Sequence, residues 1–247
     1  MAAKEHYDKH LGSFYSWMVG DFESKQNEFS EFLNEMKILP RSSKNVIDLG
    51  AGHGIQTISL AKLGFHVTAI DFNEQLLQEL KKNSEGFDIK IVNDDIKNIS
   101  KYSNLNPELV VCYGDTISHL ASLAEINKII TDIFLVLDRG GKILLSFRDY
   151  SKELIRDDRF IHVKSDDSRI LTCVLDYTID KVLVTDLLFE KIDNTWIQKV
   201  SSYEKVRISS NSIVELLEAT GFKIERNLVW NRLIHILAAK PLDSKID

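Results

Sequence analysis

The sequence predicts an α/β protein whose central sheet is parallel and doubly wound. Short apolar stretches alternate with helical stripes between residues 44 and 150. The predicted strands are apolar along nearly their whole length, which is typical of parallel strands with helices on both faces. A glycine-rich turn follows the first strand directly, as in open sheets that bind a ligand at that edge. These three observations together indicate the fold class.

The individual elements follow from changes in hydrophobic period along the chain. Residues 1–37 read as two helices broken near Gly20, the second with phenylalanine and leucine at helical spacing. Isoleucine and leucine at positions 126, 129, 130, 133 and 137 predict a helix that ends at Gly140. Other helices are predicted from residue 55 to Gly64 and from about Asn73, and strands at residues 45–49, 65–70, 89–92, 109–113 and 142–147.

Past residue 150 the period changes to two, which predicts antiparallel strands through residue 207. A helix then begins after a serine cap at position 209 or 210 and ends at Gly221, before strands at about 222–228 and 232–239. We therefore divide the chain into an N-terminal helical cover, a ligand-binding core, an antiparallel β insertion, and the last helix and strands of the core domain. These parts are residues 1–40, 41–150, 151–208 and 209–247.

Composition excludes several classes of protein. The 31 Lys and Arg against 37 Asp and Glu give a net charge of −6 with no basic stripe, which predicts no nucleic-acid partner. Two cysteines, Cys112 and Cys173, are too few for a disulfide scaffold. The charged start and the short apolar runs predict neither a targeting segment nor a membrane partner. We expect a cytoplasmic protein, and the sequence leaves open whether it forms a homo-oligomer.

The strongest motif is the turn Asp48-Leu49-Gly50-Ala51-Gly52-His53-Gly54, which joins a strand to a helix. Glycines are needed where the chain turns sharply and its backbone approaches a ligand too closely for a Cβ atom. The dinucleotide fingerprint is G-x-G-x-x-G, whereas the third glycine here comes one residue early. The motif therefore indicates a nucleotide-like ligand, with a tight turn and no ligand as the alternative.

Two acidic residues end the next two strands, at the same edge of the predicted sheet. Asp71 follows the second strand, where a carboxylate can accept both hydroxyl protons of a ribose. Asp95 follows the third strand, where it could accept from the exocyclic amine of adenine, and Phe72 and Ile96 would supply apolar faces for the base. The alternatives are an acid at a helix start for Asp71 and a turn residue for Asp95.

With these three sites in this order, residues 44–150 resemble a class I S-adenosylmethionine-dependent methyltransferase. Three segments are similar to the glycine N-methyltransferase branch, namely Tyr-Ser-Trp-Met-Val-Gly-Asp at 15–21, Cys-Tyr-Gly-Asp-Thr-Ile-Ser-His-Leu at 112–120 and Ser-Phe-Arg-Asp-Tyr at 146–150. The resemblance implies a Rossmann-like sheet of seven strands with N-terminal helices and an antiparallel insertion after the fifth strand. It also implies S-adenosyl-L-methionine as cofactor and N-methylation of a small amine or amino acid.

The resemblance implies roles for residues around the cofactor. Gly50 and Gly52 would lie near the methionine ammonium group, Asp71 on the ribose and Asp95 near adenine. Lys25 stands where the family has an arginine for the cofactor carboxylate. The full set of predicted cofactor-binding residues is Asp48, Gly50, Gly52, Gly54, Asp71, Phe72, Asp95, Ile96, Tyr113 and Lys25.

Four residues are predicted on the acceptor side. Arg148 stands where the family has an arginine for the substrate carboxylate, and Asp115 replaces an asparagine at the substrate amine. His119 is a candidate base or a hydrogen-bonded supporting residue. Tyr15 is a candidate for closing over the site, its alternative role being burial of a helix face. An ion pair of Arg148 with Asp115 or Asp149 is the alternative for the charged residues.

Several other functions are also consistent with the sequence. An NAD(P) oxidoreductase would share the fold and Asp71, although the early third glycine opposes it. A protein that binds the cofactor without catalysis, an O- or C-methyltransferase of another small metabolite, and a methyltransferase of macromolecules are further alternatives. No metal site is predicted, because His6 and His10 lie one helical turn apart without a third ligand at matching spacing.

Overall fold

A computed structural model describes residues 3–242 of the chain. Its strands are β1 (Asn45–Leu49), β2 (His66–Asp71), β3 (Ile89–Asn93), β4 (Leu109–Cys112), β5 (Lys142–Phe147), β6 (Phe160–Ser165), β7 (Arg169–Tyr177), β8 (Lys181–Ile192), β9 (Thr195–Val206), β10 (Lys223–Trp230) and β11 (Leu233–Ala239). Its α-helices are α1 (Ala3–Lys9), α2 (Tyr15–Val19), α3 (Phe22–Glu35), α4 (Ile55–Lys62), α5 (Glu74–Asn83), α6 (Leu123–Val136) and α7 (Ser210–Thr220).

The main sheet has seven strands in the order β10-β11-β5-β4-β1-β2-β3. The strands β1 to β5 pair in parallel, whereas β11 pairs antiparallel with both β5 and β10. This arrangement confirms the predicted doubly wound sheet. Because the chain proceeds in opposite directions from β1, to β2 on one side and to β4 on the other, a crevice opens at the carboxyl ends of these strands.

Helices cover both faces of this sheet. On one face the isoleucines of α6 and the apolar side of α7 bury β4 and β5, and on the other face α3 and α4 pack against β1. The buried pattern of β1, β4 and β5 follows, since a strand covered on both sides needs apolar residues on both sides. A side-chain cap begins α5 beside the crevice, because the Asn73 side chain accepts from the amide of Leu76.

The insertion forms a separate antiparallel sheet in the order β6-β7-β8-β9, between β5 and α7, as predicted. The N-terminal segment packs against it, since Leu11 and Phe14 are buried with Leu171 and Leu188. His6 of α1 also contacts the insertion. Its Nδ1 lies 2.8 Å from the Ser201 hydroxyl and its Nε2 3.2 Å from an Asp186 carboxylate oxygen.

The first of the two predicted N-terminal helices is wrong, because the chain before Gly20 forms three short pieces. The helices α1 and α2 are separated by a 3₁₀ turn at Leu11–Ser13. At Gly12 a Cβ atom would lie 2.8 Å from the carbonyl oxygen of Tyr7, so the chain turns where only a glycine fits. The break near Gly20, before α3, was predicted correctly.

A second element not predicted from the sequence is a 3₁₀ segment at Ile96–Leu105, which connects β3 to β4. Between residues 3 and 242, no helix has the length and apolar character needed to cross a bilayer.

A buried carboxylate holds the loop that enters β1. The side chain of Glu108, just before β4, accepts hydrogen bonds from the backbone amides of Arg41 at 2.5 Å, Ser42 at 2.8 Å and Ser43 at 3.1 Å. Burial opposes ionisation of Glu108, but these amides outweigh burial and lower its pKa below the usual 4.5. The charged carboxylate is therefore the form that the fold stabilises.

We predict that Glu108→Gln lowers the free energy of unfolding by about 1 to 3 kcal/mol, because the amide group of glutamine cannot accept at both positions. Since the native pKa lies below 4.5, the contribution of Glu108 is present above that pH and is lost as the pH falls. Urea denaturation at pH 7 and pH 4 measures both effects. The matched control is Glu225→Gln, which removes an exposed pair with Lys142 and should cost at most about 1 kcal/mol. Equal losses in the two variants would contradict the assignment.

Candidate active site

A cavity of about 280 Å³ lies at the carboxyl edge of the parallel strands. Gly50 and Gly52 follow β1, Asp71 ends β2, Asp95 follows β3 and Thr116 follows β4, and all five residues line the cavity. They are far apart in sequence, but parallel strands end at one edge of a sheet and bring them together.

Two further parts of the chain close this cavity from above. Tyr7 of α1 and Tyr15 of α2 line it from the N-terminal segment. Lys181, Glu204 and Lys205 line it from the insertion. The cover and the insertion therefore reduce the contact of the site with bulk water, which strengthens electrostatic interactions inside it.

Asp71 is the best-organised polar group of the cavity. Its carboxylate is 8% exposed and accepts from the backbone amides of Gly52 at 2.9 Å and Asn73 at 2.8 Å. Burial raises the pKa of Asp71, and the two amides oppose that shift. A carboxylate has about four acceptor positions, so both oxygens retain capacity for a ligand's hydroxyl groups.

The glycine-rich turn is poor in free donors. Its amides at Gly50 and Ala51 donate to the Ile70 carbonyl, the amide of Gly52 donates to Asp71, and that of Gly54 donates to Ala51. The carbonyl oxygens of Gly50 and Gly52 accept no hydrogen bond from residues 3–242. A site for a pyrophosphate needs free backbone amides, whereas free carbonyls suit an ammonium group. The turn therefore opposes the NAD(P) alternative.

The three glycines of the turn have different reasons for being glycine, although all have positive φ. A Cβ atom at Gly50 would lie 2.5 Å from Thr116, and one at Gly54 would lie 3.0 Å from Leu80. At Gly52 the nearest atom would be a ring carbon of Tyr15, 3.7 Å away. Close packing within the protein thus requires glycine at positions 50 and 54. A Cβ atom at Gly52 would instead point across the cavity towards Tyr15.

One end of the cavity is apolar with an acid at its rim. Phe72, Leu76 and Ile96 line this end. Asp95 caps the following 3₁₀ segment by accepting from the amide of Lys97 and lies 3.4 Å from the Lys97 ammonium group. An apolar slot with a carboxylate at its edge fits a flat base that carries an amino group.

The other end is aromatic and holds a neutral histidine. The ring of His119 lies 5.7 Å from that of Tyr7 and stacks on Tyr203 at 5.5 Å. Its Nδ1 is buried and has no hydrogen-bond partner among residues 3–242. Burial and, after it, the positive charge of Lys205 lower the pKa of His119 to about 3, so its imidazole is neutral at physiological pH.

Tyr15 is a donor beside this end. Burial and the nearby charge of Asp71 raise the pKa of Tyr15 to about 12. The hydroxyl therefore stays protonated, and it makes no hydrogen bond to another group within the described part of the chain. Tyr15 can donate to a ligand in the cavity.

Lys205 and Asp115 form a buried ion pair that sequence reasoning did not anticipate. The ammonium group lies 2.5 Å from one carboxylate oxygen of Asp115, which also accepts from the Tyr150 hydroxyl at 3.0 Å. Burial raises the pKa of Asp115, but Lys205 and the Arg148 amide outweigh it and keep that pKa below the usual range. The sequence contains one indication that Lys205 shares a face with other polar residues. Ser201, Tyr203 and Lys205 alternate along one strand, so their side chains lie on the same face.

The structure does not bring Arg148 and Asp115 into the lining of the cavity. Arg148 is exposed at the end of β5, and only its backbone amide contacts Asp115, at 3.0 Å. The alternative ion pair between these two side chains is also absent from the described contacts, because Asp115 pairs with Lys205 instead. Arg148 follows its strand, as predicted, but its side chain lies in solvent.

Four predicted cofactor residues also lie outside the lining. Lys25 pairs with Glu28 on the surface of α3, and Tyr113 packs against Phe29 at 4.7 Å between the rings. Asp48 is buried beneath the turn and accepts from the Thr57 hydroxyl at 2.6 Å, which ties β1 to α4. Gly54 begins α4. The predicted residues that the structure gathers are Tyr15, Gly50, Gly52, Asp71, Phe72, Asp95, Ile96 and His119.

Comparison with known proteins agrees with this geometry. Residues 46–141 match a family described as methyltransferase domain. A glycine/sarcosine N-methyltransferase from Aphanothece halophytica is 27% identical over 139 residues, which cover 56% of this chain and 50% of that protein. The glycine N-methyltransferase of Oryctolagus cuniculus is 20% identical over 161 residues, which cover 59% of this chain and 54% of that protein. The chain thus spans about half the length of these relatives.

Solved structures share the fold over nearly the whole chain. An S-adenosylmethionine-dependent methyltransferase from Clostridium acetobutylicum superposes with a TM-score of 0.70 at 18% identity, over 96% of this chain and 97% of that one. A sugar N-methyltransferase from Streptoalloteichus gives a TM-score of 0.74 at 12% identity, over 95% and 94% of the two chains. Residues 46–141 thus form a methyltransferase domain, and the chain has the fold of the S-adenosylmethionine-dependent methyltransferases.

The cavity residues fit S-adenosylmethionine. Asp71 would hold the ribose hydroxyls, the apolar slot at Phe72 and Ile96 would hold the adenine, and the free carbonyls of Gly50 and Gly52 would accept from the ammonium group. When bound, this cofactor supplies a methyl group on a positively charged sulfur.

We predict that Asp71→Ala weakens the binding of S-adenosylhomocysteine more than tenfold, because a charge-assisted hydrogen bond is worth about 1.5 to 3 kcal/mol. Calorimetric titration measures the affinity, and circular dichroism checks that the fold is intact. Asp94→Asn is the control, since Asp94 bonds Tyr102 and Asn98 and does not line the cavity. Unchanged affinity in folded Asp71→Ala would remove the ribose role from Asp71.

Proposed function

We propose that the protein transfers the methyl group of S-adenosylmethionine to the nitrogen of a small amine or amino acid. The observation that carries the proposal is the neutral imidazole of His119, which lines the aromatic part of the cavity. A neutral imidazole has one acceptor nitrogen, which is suited to accept a hydrogen bond from an amine N–H.

The size and cover of the cavity support a small acceptor. The N-terminal helices and the insertion both line the space of about 280 Å³, so an acceptor has to fit between them beside the cofactor. The net charge of −6 also disfavours nucleic acid as an acceptor. These observations favour a metabolite over a macromolecule.

The aromatic lining supports nitrogen as the methylated atom. An amine that gains a methyl group becomes positively charged, and the faces of aromatic rings attract cations. The ring of Tyr7 lies 5.7 Å from His119 and 6.0 Å from Tyr15, so several aromatic rings border the same space. Methylation of a carboxylate or phenolate would gain less from these rings, because its product carries no positive charge.

The residues of the site act mainly by holding the reactants and excluding water. His119 orients the acceptor nitrogen, whose lone pair must be free, and Tyr15 donates a hydrogen bond from a hydroxyl that stays protonated. The N-terminal cover keeps bulk water from the nucleophile. Alignment of this kind contributes a large share of catalysis when two molecules react.

The relatives give independent support at the level of reaction class. The similar proteins from Aphanothece halophytica and Oryctolagus cuniculus are glycine N-methyltransferases or glycine/sarcosine N-methyltransferases by name, and the structural neighbour from Streptoalloteichus methylates a sugar nitrogen by name. These names favour nitrogen over oxygen or carbon, and they leave the acceptor itself to experiment.

The direct test incubates the protein with methyl-labelled S-adenosylmethionine and a panel of amino acids, amines, phenols and carboxylic acids. We expect label in an N-methylated product, identified by mass spectrometry. Label only in phenols or acids would establish the O-methyltransferase alternative. Binding of the cofactor without transfer to any compound would favour the protein that binds without catalysis.

We predict that His119→Asn lowers kcat/KM for the amine acceptor at least about tenfold without changing the pH profile. Because the pKa of His119 is about 3, its imidazole does not titrate near neutrality, and the rate should rise with pH as the acceptor amine loses its proton. Steady-state rates between pH 6 and pH 10 measure this profile. His162→Asn, on the exposed surface of the insertion, is the control. An inflection near pH 6.5 that disappears in His119→Asn would show instead that His119 titrates as the base.

A further inference from the structure

Lys205 is a buried cation that lines the cavity and has hydrogen-bond donors without a partner among the described residues. It is 7% exposed, lies on β9 and lines the end of the cavity where His119 is found. An ammonium group has three N–H donors, and among residues 3–242 it makes one hydrogen bond, to Asp115. Its other neighbours are the rings of Tyr150 and Tyr203, whose centroids lie 5.8 and 5.7 Å away.

Burying a charge in this way is costly unless the charge is fully paired. Rings attract a cation but do not accept its protons as well as an oxygen does. Two N–H donors of Lys205 therefore remain for a group inside the cavity. The most favourable partner for a desolvated ammonium group is an anion, because charge-assisted hydrogen bonds are about twice as strong as neutral ones.

Asp115 does not accept the two remaining N–H groups of Lys205, because its oxygens already accept other hydrogen bonds. One oxygen accepts from the Arg148 amide at 3.0 Å, and the other accepts from Tyr150 and Lys205. Asp115 is 3% exposed and does not line the cavity. The member of the ion pair that lines the cavity is therefore the cation Lys205, which reverses the expectation from the sequence that an aspartate would face the acceptor.

Apart from the pair with Asp115, Lys205 forms no ion pair with a described charged residue of the cavity lining. Lys181 and Glu204 pair with each other at 2.5 Å on the exposed rim. Asp71 and Asp95 lie after β2 and β3, at the end assigned to the cofactor. Glu125 accepts from the Ala121 amide before α6.

We propose that Lys205 binds a carboxylate of the methyl acceptor, so that the acceptor is a small amino acid held at its amine by His119 and at its carboxylate by Lys205. This inference rests on the proposed N-methyltransferase function and names its substrate class. Asp115 is a positioning residue, since it holds the ammonium group in place and does not touch the substrate. Arg148, exposed after β5, has no part in this binding.

The test compares acceptors that differ only in the carboxylate, namely glycine with methylamine and alanine with ethylamine. Wild-type protein should methylate the acids with at least about tenfold higher kcat/KM than the amines. In Lys205→Met, KM for the acids should rise at least about tenfold, whereas KM for the amines and the affinity for S-adenosylhomocysteine should stay the same. Lys199→Met, which removes an exposed pair with Glu190 on the same strand, is the matched control.

A second variant protects the test against misfolding. Lys205→Met leaves Asp115 buried without its partner, so the double variant Lys205→Met/Asp115→Asn removes both charges together. Both variants should lose the preference for the acids, and thermal unfolding identifies the better folded one. An unchanged preference in a folded variant would overturn the role of Lys205.

A binding experiment separates failure of this inference from failure of the proposed function. Propionate, which has no amine, is titrated into the complex with S-adenosylhomocysteine and followed by saturation-transfer NMR. We expect binding to wild type and to Lys199→Met, and loss of binding in Lys205→Met. If no amine is methylated but propionate binds through Lys205, the proposed reaction fails and the anion site stands. Methylation of amines without any effect of Lys205 or of the carboxylate overturns the inference and leaves the proposed reaction intact.

Discussion

Because β1 to β4 run parallel, their carboxyl ends meet at one edge of the sheet, and the site depends on that constraint. Residues separated by tens of positions in sequence become neighbours there without any contact in the unfolded chain to favour them. Asp71 then organises the edge, because its carboxylate receives one amide from the glycine-rich turn and one from the start of α5. Other amides of the turn donate to the carbonyls of Ile70 and Ala51, and the carbonyl oxygens left over favour an ammonium group over a phosphate as the ligand.

Desolvation gives the two ends of the cavity different chemistry. At the cofactor end an apolar slot ends in carboxylates, whereas at the acceptor end burial keeps His119 neutral beside a charged Lys205. The N-terminal segment and the insertion produce this burial together, since Leu11 and Phe14 pack directly against Leu171 and Leu188. Under the proposed function, the insertion contributes Lys205 to the acceptor end, whereas the parallel core contributes His119 and the residues at the cofactor end.

The sequence predicted the fold well because strand burial and helical stripes are local patterns with a clear period. It predicted Asp71 and Gly52 in the cavity because they lie at or just after the end of a strand, where chain position determines edge position. His119 was predicted from the resemblance of residues 112–120 to the glycine N-methyltransferase branch. It missed Lys205 because pairing with Asp115 spans 90 residues and depends on how the insertion packs. Arg148 also follows a strand, but whether a long side chain turns into the cavity or into solvent depends on neighbours that no local pattern encodes. The break at Gly12 was missed because the periodicity of the flanking residues continues across it.

The most direct test of this account is a crystal structure of the protein with S-adenosylhomocysteine. The account predicts that the ribose hydroxyls bind Asp71, that the amino group of the homocysteine lies on the carbonyls of the glycine-rich turn, and that the sulfur faces the end formed by His119 and Lys205. A ligand whose ribose lies away from Asp71, or whose sulfur points to the rim at Lys97, would contradict the assignment of the two ends.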